Sequence, residues 1–454
     1  MRRTLALLAL CLSFVLSPVA IAANSGGAQI GINVLLNTAA TPSILDDLGT
    51  RGRVRDVIYE LNALTMQIAA ADLPAIQALP YVASASPDAT RTGAPVDTVA
   101  ATDFSAGLST WDLDAINVTD YGFNRAVSFD GTGVYVAVLD TGLVDSWRQY
   151  FPQERIAEQY ARSFSGGGGD TGTVSSQPNK WEHDQDSHGT HVTSTILGYA
   201  YPGGVNINGV APNATVIPVK VLNQNGSGWS SVIARGIVYV GDLKAGELAG
   251  SPVVINMSLG GSRLDPLEKA AIDYAIDKGV IIVASAGNSG AAGMGYPGAY
   301  APVISVAASG WTGEWTKPGW WYSNVADPTD PASFYIAEFS SRQRAGQDLD
   351  VAAPGTWIVG PYQVNSGQTS WYYLGGTSMA SPHVAGVVAL MAQAHPKLTA
   401  ADAESILEKT AIPLGAGCRN VTGSNGSVAE ICWGANATGA GLVDAQQAIA
   451  AALQ

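Results

Sequence analysis

Three short segments carry side chains that together could do acyl-transfer chemistry. Ser378 stands in Gly375-Gly376-Thr377-Ser378-Met379-Ala380-Ser381-Pro382-His383-Val384-Ala385-Gly386, where small residues lead into a serine and an apolar, helix-like run follows through Met391. That setting puts a hydroxyl at a helix N-terminus, and the glycines allow close backbone approach. A lone serine there serves equally well as an N-cap, and the pattern is not a G-x-S-x-G elbow. Asp140 directly follows the apolar run Val134–Leu139, within Leu139-Asp140-Thr141-Gly142. Just past the carboxyl end of a strand, a carboxylate is either a turn cap or a site residue. His188 lies in Asp184-Gln185-Asp186-Ser187-His188-Gly189-Thr190-His191-Val192 and enters a helical stretch to Leu197. His188 and His191 lack both an H-E-x-x-H pattern and a nearby cysteine, which argues against zinc.

The elements that must hold these groups alternate in kind. From Trp111 onward, Val134–Leu139, Val216–Val221, Val253–Ile255, Val280–Ala284 and Val303–Val306 are β-branched runs without polar alternation. Such runs suit strands buried on both faces of a parallel sheet. Helical stretches intervene at Gly189–Leu197, Ser230–Val240 and Pro266–Lys278, so the expected fold class is α/β, a doubly wound, mostly parallel sheet. A helical tail includes Thr399-Ala400-Ala401-Asp402, a capping-box-like start. Gly166–Gly169 lacks the Lys-Ser/Thr of a phosphate loop and reads as a surface loop.

Residues 28–88 read as a separate small unit. Ile30–Leu36, Val57–Tyr59, Leu64–Ile68 and Tyr81–Ala83 are strand candidates, with helices from Pro42 to Leu48 and from Asp72 to Leu79. The order β-α-β-β-α-β is a compact, ferredoxin-like topology. Residues 89–104 are rich in Ala, Thr, Pro and Asp, with the composition of a linker.

The bulk numbers agree. Among 454 residues, 47% are hydrophobic and 13% charged, enough for a large core. A formal net charge of −14 opposes nucleic-acid binding, which needs a basic surface. The start, Met1-Arg2-Arg3-Thr4, then an apolar run from Leu5 to about Val19, then Ala20-Ile21-Ala22-Ala23, has the parts of a secretory signal peptide cut after Ala22 or Ala23. Ser13, Ser17 and Pro18 interrupt the run and no basic cluster follows it, so no membrane anchor is expected once it is removed. Cys11 would leave with that peptide. Cys418 and Cys432 remain, an even pair in a secreted chain, and are expected to form a disulfide worth about 2–4 kcal/mol.

Taken jointly, Leu139-Asp140-Thr141-Gly142, His188-Gly189-Thr190-His191-Val192 and Gly376-Thr377-Ser378-Met379-Ala380-Ser381-Pro382 resemble the three signature blocks of the subtilase family of serine peptidases. The order Asp, His, Ser is that of subtilisin. The resemblance runs from about Trp111 to the C-terminus and, more loosely, over residues 28–88. It implies that Ser378 is the nucleophile, His188 the general base and Asp140 its orienting carboxylate. Ala284-Ser285-Ala286-Gly287-Asn288-Ser289-Gly290 is similar to the family's oxyanion block, with Asn288 as donor. Gly226-Ser227-Gly228 and Ser258-Leu259-Gly260 resemble the segments that pair with an extended peptide, and a pocket lined by Ala284–Gly287 and floored near Gly295 would take the residue before the scissile bond. No acidic residue occurs among these, so a large apolar or aromatic residue is expected there.

The resemblance further implies four regions: a signal peptide over 1–23, an inhibitory propeptide over 24–88, a linker with the processing region over 89–104, and a catalytic domain over 105–454. The protein would be a secreted, extracellular or periplasmic, monomeric zymogen acting on proteins and peptides, with its own propeptide as inhibitor and without a nucleic-acid partner. No cofactor is needed for the chemistry. The resemblance admits a structural calcium whose ligands the sequence leaves open, with Gly203–Asn208, Asp184 and Asp186 as places to look. Residues 310–338, carrying Trp311, Trp315, Trp320 and Trp321, depart from the family pattern and read either as a self-packed loop or as an exposed aromatic binding surface.

Overall fold

The computed structural model describes residues 28–454 except 101–108, 120–124, 166–168, 202–204 and 366. The expected signal peptide and part of the expected processing region lie outside the described residues. The N-terminal unit runs β1 (Gln29–Leu36), α1 (Pro42–Arg51), β2 (Arg53–Ile58), β3 (Ala63–Ala69), α2 (Leu73–Gln77) and β4 (Val82–Pro87). Its antiparallel sheet has the order β2-β3-β1-β4, the expected topology. Period-two alternation sends Ile32, Val34, Leu64 and Met66 to one face, where they are buried with Leu48 of α1 and Ile76 of α2.

On the other face Asn33 and Thr65 are buried as well, because that face does not meet solvent. It docks on two helices of the main body. β2 begins at Arg53, earlier than the sequence suggested. Its charged residues are paired: Arg55 with Asp88, and Asp56 with Arg235.

The segment expected as a linker carries strands among its described residues. Residues 89–104 contribute β5 (Thr90–Thr92) and β6 (Asp97–Ala100), each paired with a strand of the main body. Ala, Pro and Asp have little intrinsic strand preference, and the interspersed Thr residues do not make a strand pattern by themselves. The pairing edges impose the extended form, and those edges are distant in sequence.

The main body starts at α3 (Trp111–Ala115) and continues through β7 (Tyr135–Asp140), β8 (Arg162–Ser165), β9 (Val174–Gln177), α4 (His188–Leu197), β10 (Gly198–Tyr201) and β11 (Val205–Asn208). There follow β12 (Thr215–Lys220), β13 (Ser227–Trp229), α5 (Ser230–Ala245), β14 (Val253–Met257), α6 (Pro266–Asp277), β15 (Val280–Ser285) and β16 (Ile304–Trp311). The chain ends with β17 (Phe334–Ile336), β18 (Val351–Pro354), β19 (Ile358–Pro361), β20 (Trp371–Gly375), α7 (Thr377–Ala394), α8 (Ala400–Thr410), β21 (Gly417–Thr422), β22 (Val428–Trp433) and α9 (Ala445–Ala452).

The central sheet has the order β17-β16-β15-β14-β7-β12-β8-β9, with β18 also on β16. It is parallel except at β16–β17 and β8–β9. The unbroken apolar runs become β7, β12, β14 and β15 because helices cover both faces, α5 and α6 on one and α4 and α7 on the other. β7 lies between β12 and β14, where the winding reverses, so a crevice opens at its carboxyl end.

The tryptophans of 310–338 are packing rather than an exposed surface. Trp320 and Trp321 are buried, and the ring of Tyr373 on β20 sits 5.0 Å from Trp315 and 5.5 Å from Trp320. Glu314 anchors the insertion by accepting hydrogen bonds from Thr356 Oγ1 and Tyr335 Oη, and burial pushes its carboxyl up to about 8. Cys418 and Cys432 face each other across β21 and β22 and are joined, as expected. Among the described residues no helix is long and apolar enough to cross a membrane.

Candidate active site

β7 delivers Asp140, fully buried, to the crevice. α4 starts at His188, whose Nδ1–H donates to Asp140 Oδ1 at 2.8 Å and lies 3.0 Å from Oδ2. This closeness depends on Gly189, where a Cβ would stand 2.4 Å from the Gly142 carbonyl oxygen. Burial alone would lower the His188 pKa, but the Asp140 carboxylate and its hydrogen bond reverse this and raise it. The pair is therefore built to stabilise an imidazolium.

Beneath it, Thr141 Oγ1 donates to Asp184 and accepts from the Gly189 N–H, while Lys220 Nζ donates to the Thr141 carbonyl. Burial pushes the Asp184 carboxyl up to about 7, against the pull of the Lys220 charge. Asp184 and Asp186 do not form an oxygen cage. Asp184 accepts from Thr141 and the Asp186 N–H, and Asp186 accepts from the His188 N–H. They brace the histidine loop instead.

Ser378 is the second residue of α7 and is buried. A relay from β14 holds it. Asn256 Nδ2 donates to Ser258 Oγ, Ser258 Oγ donates to the Ser378 carbonyl at 2.7 Å, and Ser381 Oγ donates to Asn256 Oδ1. Ser378 Oγ donates to the Ser258 carbonyl at 3.2 Å, and His188 Nε2 is a buried nitrogen with no partner among the described residues. Asn288 Oδ1 accepts from Thr377 N at 2.9 Å and Thr377 Oγ1 at 2.8 Å, which commits its oxygen and turns the amide nitrogen outward as a donor. His191 is a neutral core residue, pushed down to about 3 by burial and bonded to the Ile358 carbonyl. His383 pairs with Asp112 of α3 and ties the start of the body to the serine helix.

The two expected peptide edges are occupied by the chain itself. Thr92 exchanges backbone hydrogen bonds with Gly260 at 3.0 and 2.9 Å, the Gly93 N–H donates to the Gly226 carbonyl at 2.9 Å, and β5 pairs antiparallel with β13, Ser227 facing Thr92 and Gly228 facing Arg91. Ser258 and Leu259 lie buried beneath this edge. A Cβ on Gly93 would stand 3.3 Å from His188 Cε1, and Ala94 lines a cavity of about 610 Å³ together with Gly287, Asn288, Gly295 and Ser378. No carboxylate lines that cavity. A Cβ on Gly376 would be 3.7 Å from Pro95 Cα, so the chain passes over the start of the serine helix just after Ala94, which lines the same cavity as Ser378. Beyond it, β6 adds to the β19–β20 hairpin, Asp97 facing Gly375 and Ala100 facing Tyr372.

Several participants escaped sequence reasoning. Asn256 is a polar residue inside Val253-Val254-Ile255-Asn256-Met257, and Lys220 closes an apolar run. Such interruptions are the available signal. The edge of β20 and the paired Arg91 and Glu268 gave none. Asp348, Asp350 and Glu404 also converge, their oxygens within 4.8 Å of one another, well apart in sequence from the expected calcium positions.

The subtilase family model matches residues 131–441. A thermostable alkaline protease of Halalkalibacterium halodurans is 34% identical over 305 residues, 67% of this chain and 68% of that protein. Subtilisin DY of Bacillus licheniformis is 33% identical over 295 residues, 64% of this chain and 88% of its own. Fervidolysin from Fervidobacterium pennivorans, described as a keratinolytic enzyme related to subtilisin, shares the fold with a TM-score of 0.65 at 23% identity, over 94% of this chain and 62% of its own, so the chain spans less than two thirds of its length. Sphericase superposes with a TM-score of 0.53 at 28% identity, over 75% of this chain and 99% of its own.

Proposed function

This chain belongs to the subtilase family of serine peptidases, a hydrolase by descent, and from that premise we propose that it is a secreted, self-processing endopeptidase whose working residues are Asp140, His188, Ser378 and Asn288. The observation that carries the reading is the polypeptide already in the cleft: residues 90–93 are bound through backbone pairing on both sides, and Ala94 lines the same cavity as Ser378. A site that holds an extended chain this way takes peptides by strand addition.

In the proposed mechanism Ser378 Oγ attacks the carbonyl, turning from Ser258 toward His188 Nε2, the orphaned nitrogen that accepts its proton. Asp140 keeps Nδ1 protonated and offsets the imidazolium charge. The Asn288 amide and the Ser378 N–H meet the oxyanion, the former worth about 2.7–4 kcal/mol in the transition state. His188 then donates its proton to the leaving amine, and water repeats the cycle on the acyl-enzyme. The carboxylate-free cavity at Ala94 favours a large apolar or aromatic side chain before the cut.

The N-terminal unit acts as the propeptide in this reading, with the bond after Ala94 as the processing bond inside the expected 89–104 region. The body is a monomer that begins at or before α3, given the buried His383–Asp112 pair. Secretion is supported by the basic-apolar-small start of the sequence and by the disulfide. For a structural calcium, the set Asp348, Asp350 and Glu404 has the right hard-oxygen chemistry, and Asp350 Oδ1 is buried without a hydrogen-bond partner. Purified secreted protein is expected to digest casein, and Ser378→Ala to be inactive and to stay joined to its N-terminal unit. A Ser378→Ala protein that digests casein, or matures to the same size without added protease, overturns the proposal.

A further inference from the structure

Counting back from the proposed processing bond, Ala94 is the first residue before it, Gly93 the second, Thr92 the third and Arg91 the fourth. Arg91 is 1% exposed, and its side chain enters the body rather than solvent. Its Nε lies 3.1 and 3.0 Å from the two carboxylate oxygens of Glu268 and its second terminal nitrogen also donates to Glu268, a side-on, two-point contact. Further donors reach the Arg263 carbonyl at 3.2 Å and the Thr90 carbonyl at 2.9 Å.

Glu268 sits in the first turn of α6, fully buried, and Arg91 is the only donor to its carboxylate among the described residues. Neighbouring Asp265 differs, since it caps α6 by accepting from the Leu267 and Glu268 N–H groups and keeps those partners whatever lies in the cleft.

We propose that Glu268 is a specificity-determining residue that selects arginine at the fourth position before the scissile bond. This rests on the endopeptidase reading above and deepens it. Once the chain through Ala94 leaves, the Glu268 carboxylate faces the cleft with no partner, and a buried carboxylate with the like charge of Asp265 nearby is costly unless a cation meets it. A substrate arginine arriving on the same backbone register restores each contact that Arg91 makes. Lysine supplies a point charge without the planar fork and recovers only part of it. A leucine leaves the charge unpaired, and a glutamate adds a second like charge.

The test uses matured wild-type enzyme and internally quenched peptides identical except for Arg, Lys, Leu or Glu at the fourth position, with the cut confirmed by mass. The expected kcat/KM for Arg exceeds that for Leu by roughly tenfold or more, with Lys between and Glu lowest. In Glu268→Gln the Arg-to-Leu ratio falls toward one. An Arg-to-Leu ratio near one in the wild type, or an Arg preference that survives Glu268→Gln, overturns the inference. Cleavage of the Leu peptide by the wild type reports the endopeptidase reading separately, so the loss of one is not mistaken for the loss of the other.

Discussion

Two buried ion pairs flank the same cleft and differ in who owns them. His188 and Asp140 both come from the main body, fixed by the ends of β7 and α4, and nothing that passes through the cleft removes either partner. Arg91 and Glu268 are shared between the segment in the cleft and the wall that receives it. A buried charge with a permanent partner can be spent on orientation and proton transfer. One whose partner departs must be met by the next occupant, which turns a structural pair into a means of recognition.

Breaking each pair should therefore give different symptoms. Asp140→Asn keeps the shape but leaves His188 in the wrong tautomer, and kcat is expected to fall by about 10⁴-fold with KM little changed. A loss confined to KM would contradict the orienting role. Arg91→Met, made in the Ser378→Ala chain so that the segment stays attached, is expected to weaken docking of the N-terminal unit by about 3–5 kcal/mol, because Glu268 is left charged and unpaired. Limited proteolysis after Pro87 and faster amide exchange in β5 would register it. Unchanged protection would mean that Glu268 is readily satisfied by water, and the comparison would fail.

A smaller effect separates the pairs by pH. The raised His188 pKa means that the imidazole is protonated, and useless as a base, at and below its ordinary value near 6.5. Then kcat/KM should rise with pH through an apparent pKa above that value and fall away as pH drops below it. The preference for arginine should instead follow the Glu268 carboxylate, which burial pushes above its ordinary value, since a guanidinium stays charged throughout. A preference that tracks the His188 titration would tie the two sites together.

The same contrast explains what the sequence disclosed. Asp140, His188, Ser378 and Asn288 were legible because the residues around them must be small: Gly189 packs against Gly142, and Thr377 must reach Asn288. The parallel strands were legible because burial on both faces leaves an unbroken apolar run, and the segments Gly226–Gly228 and Ser258–Gly260, which receive residues 90–93 through Gly226, Ser227, Gly228 and Gly260, stood out by their motifs. The extended form of β5 and β6 was hidden, because it is set by β13 and β20 rather than by Thr90-Arg91-Thr92 or Asp97-Thr98-Val99-Ala100. Glu268 was equally silent, since a glutamate in the first turn of a helix is an ordinary complement to the helix dipole. The tryptophans were visible, but not the direction they face, because that depends on Tyr373 far along the chain.

The nucleophile underlies every role assigned above. Matured protein treated with a fluorophosphonate, digested and mapped by peptide mass is expected to carry one adduct, on Ser378, formed in proportion to lost casein hydrolysis and absent in His188→Ala. An adduct on another serine, or full hydrolysis with Ser378 modified, would contradict the triad.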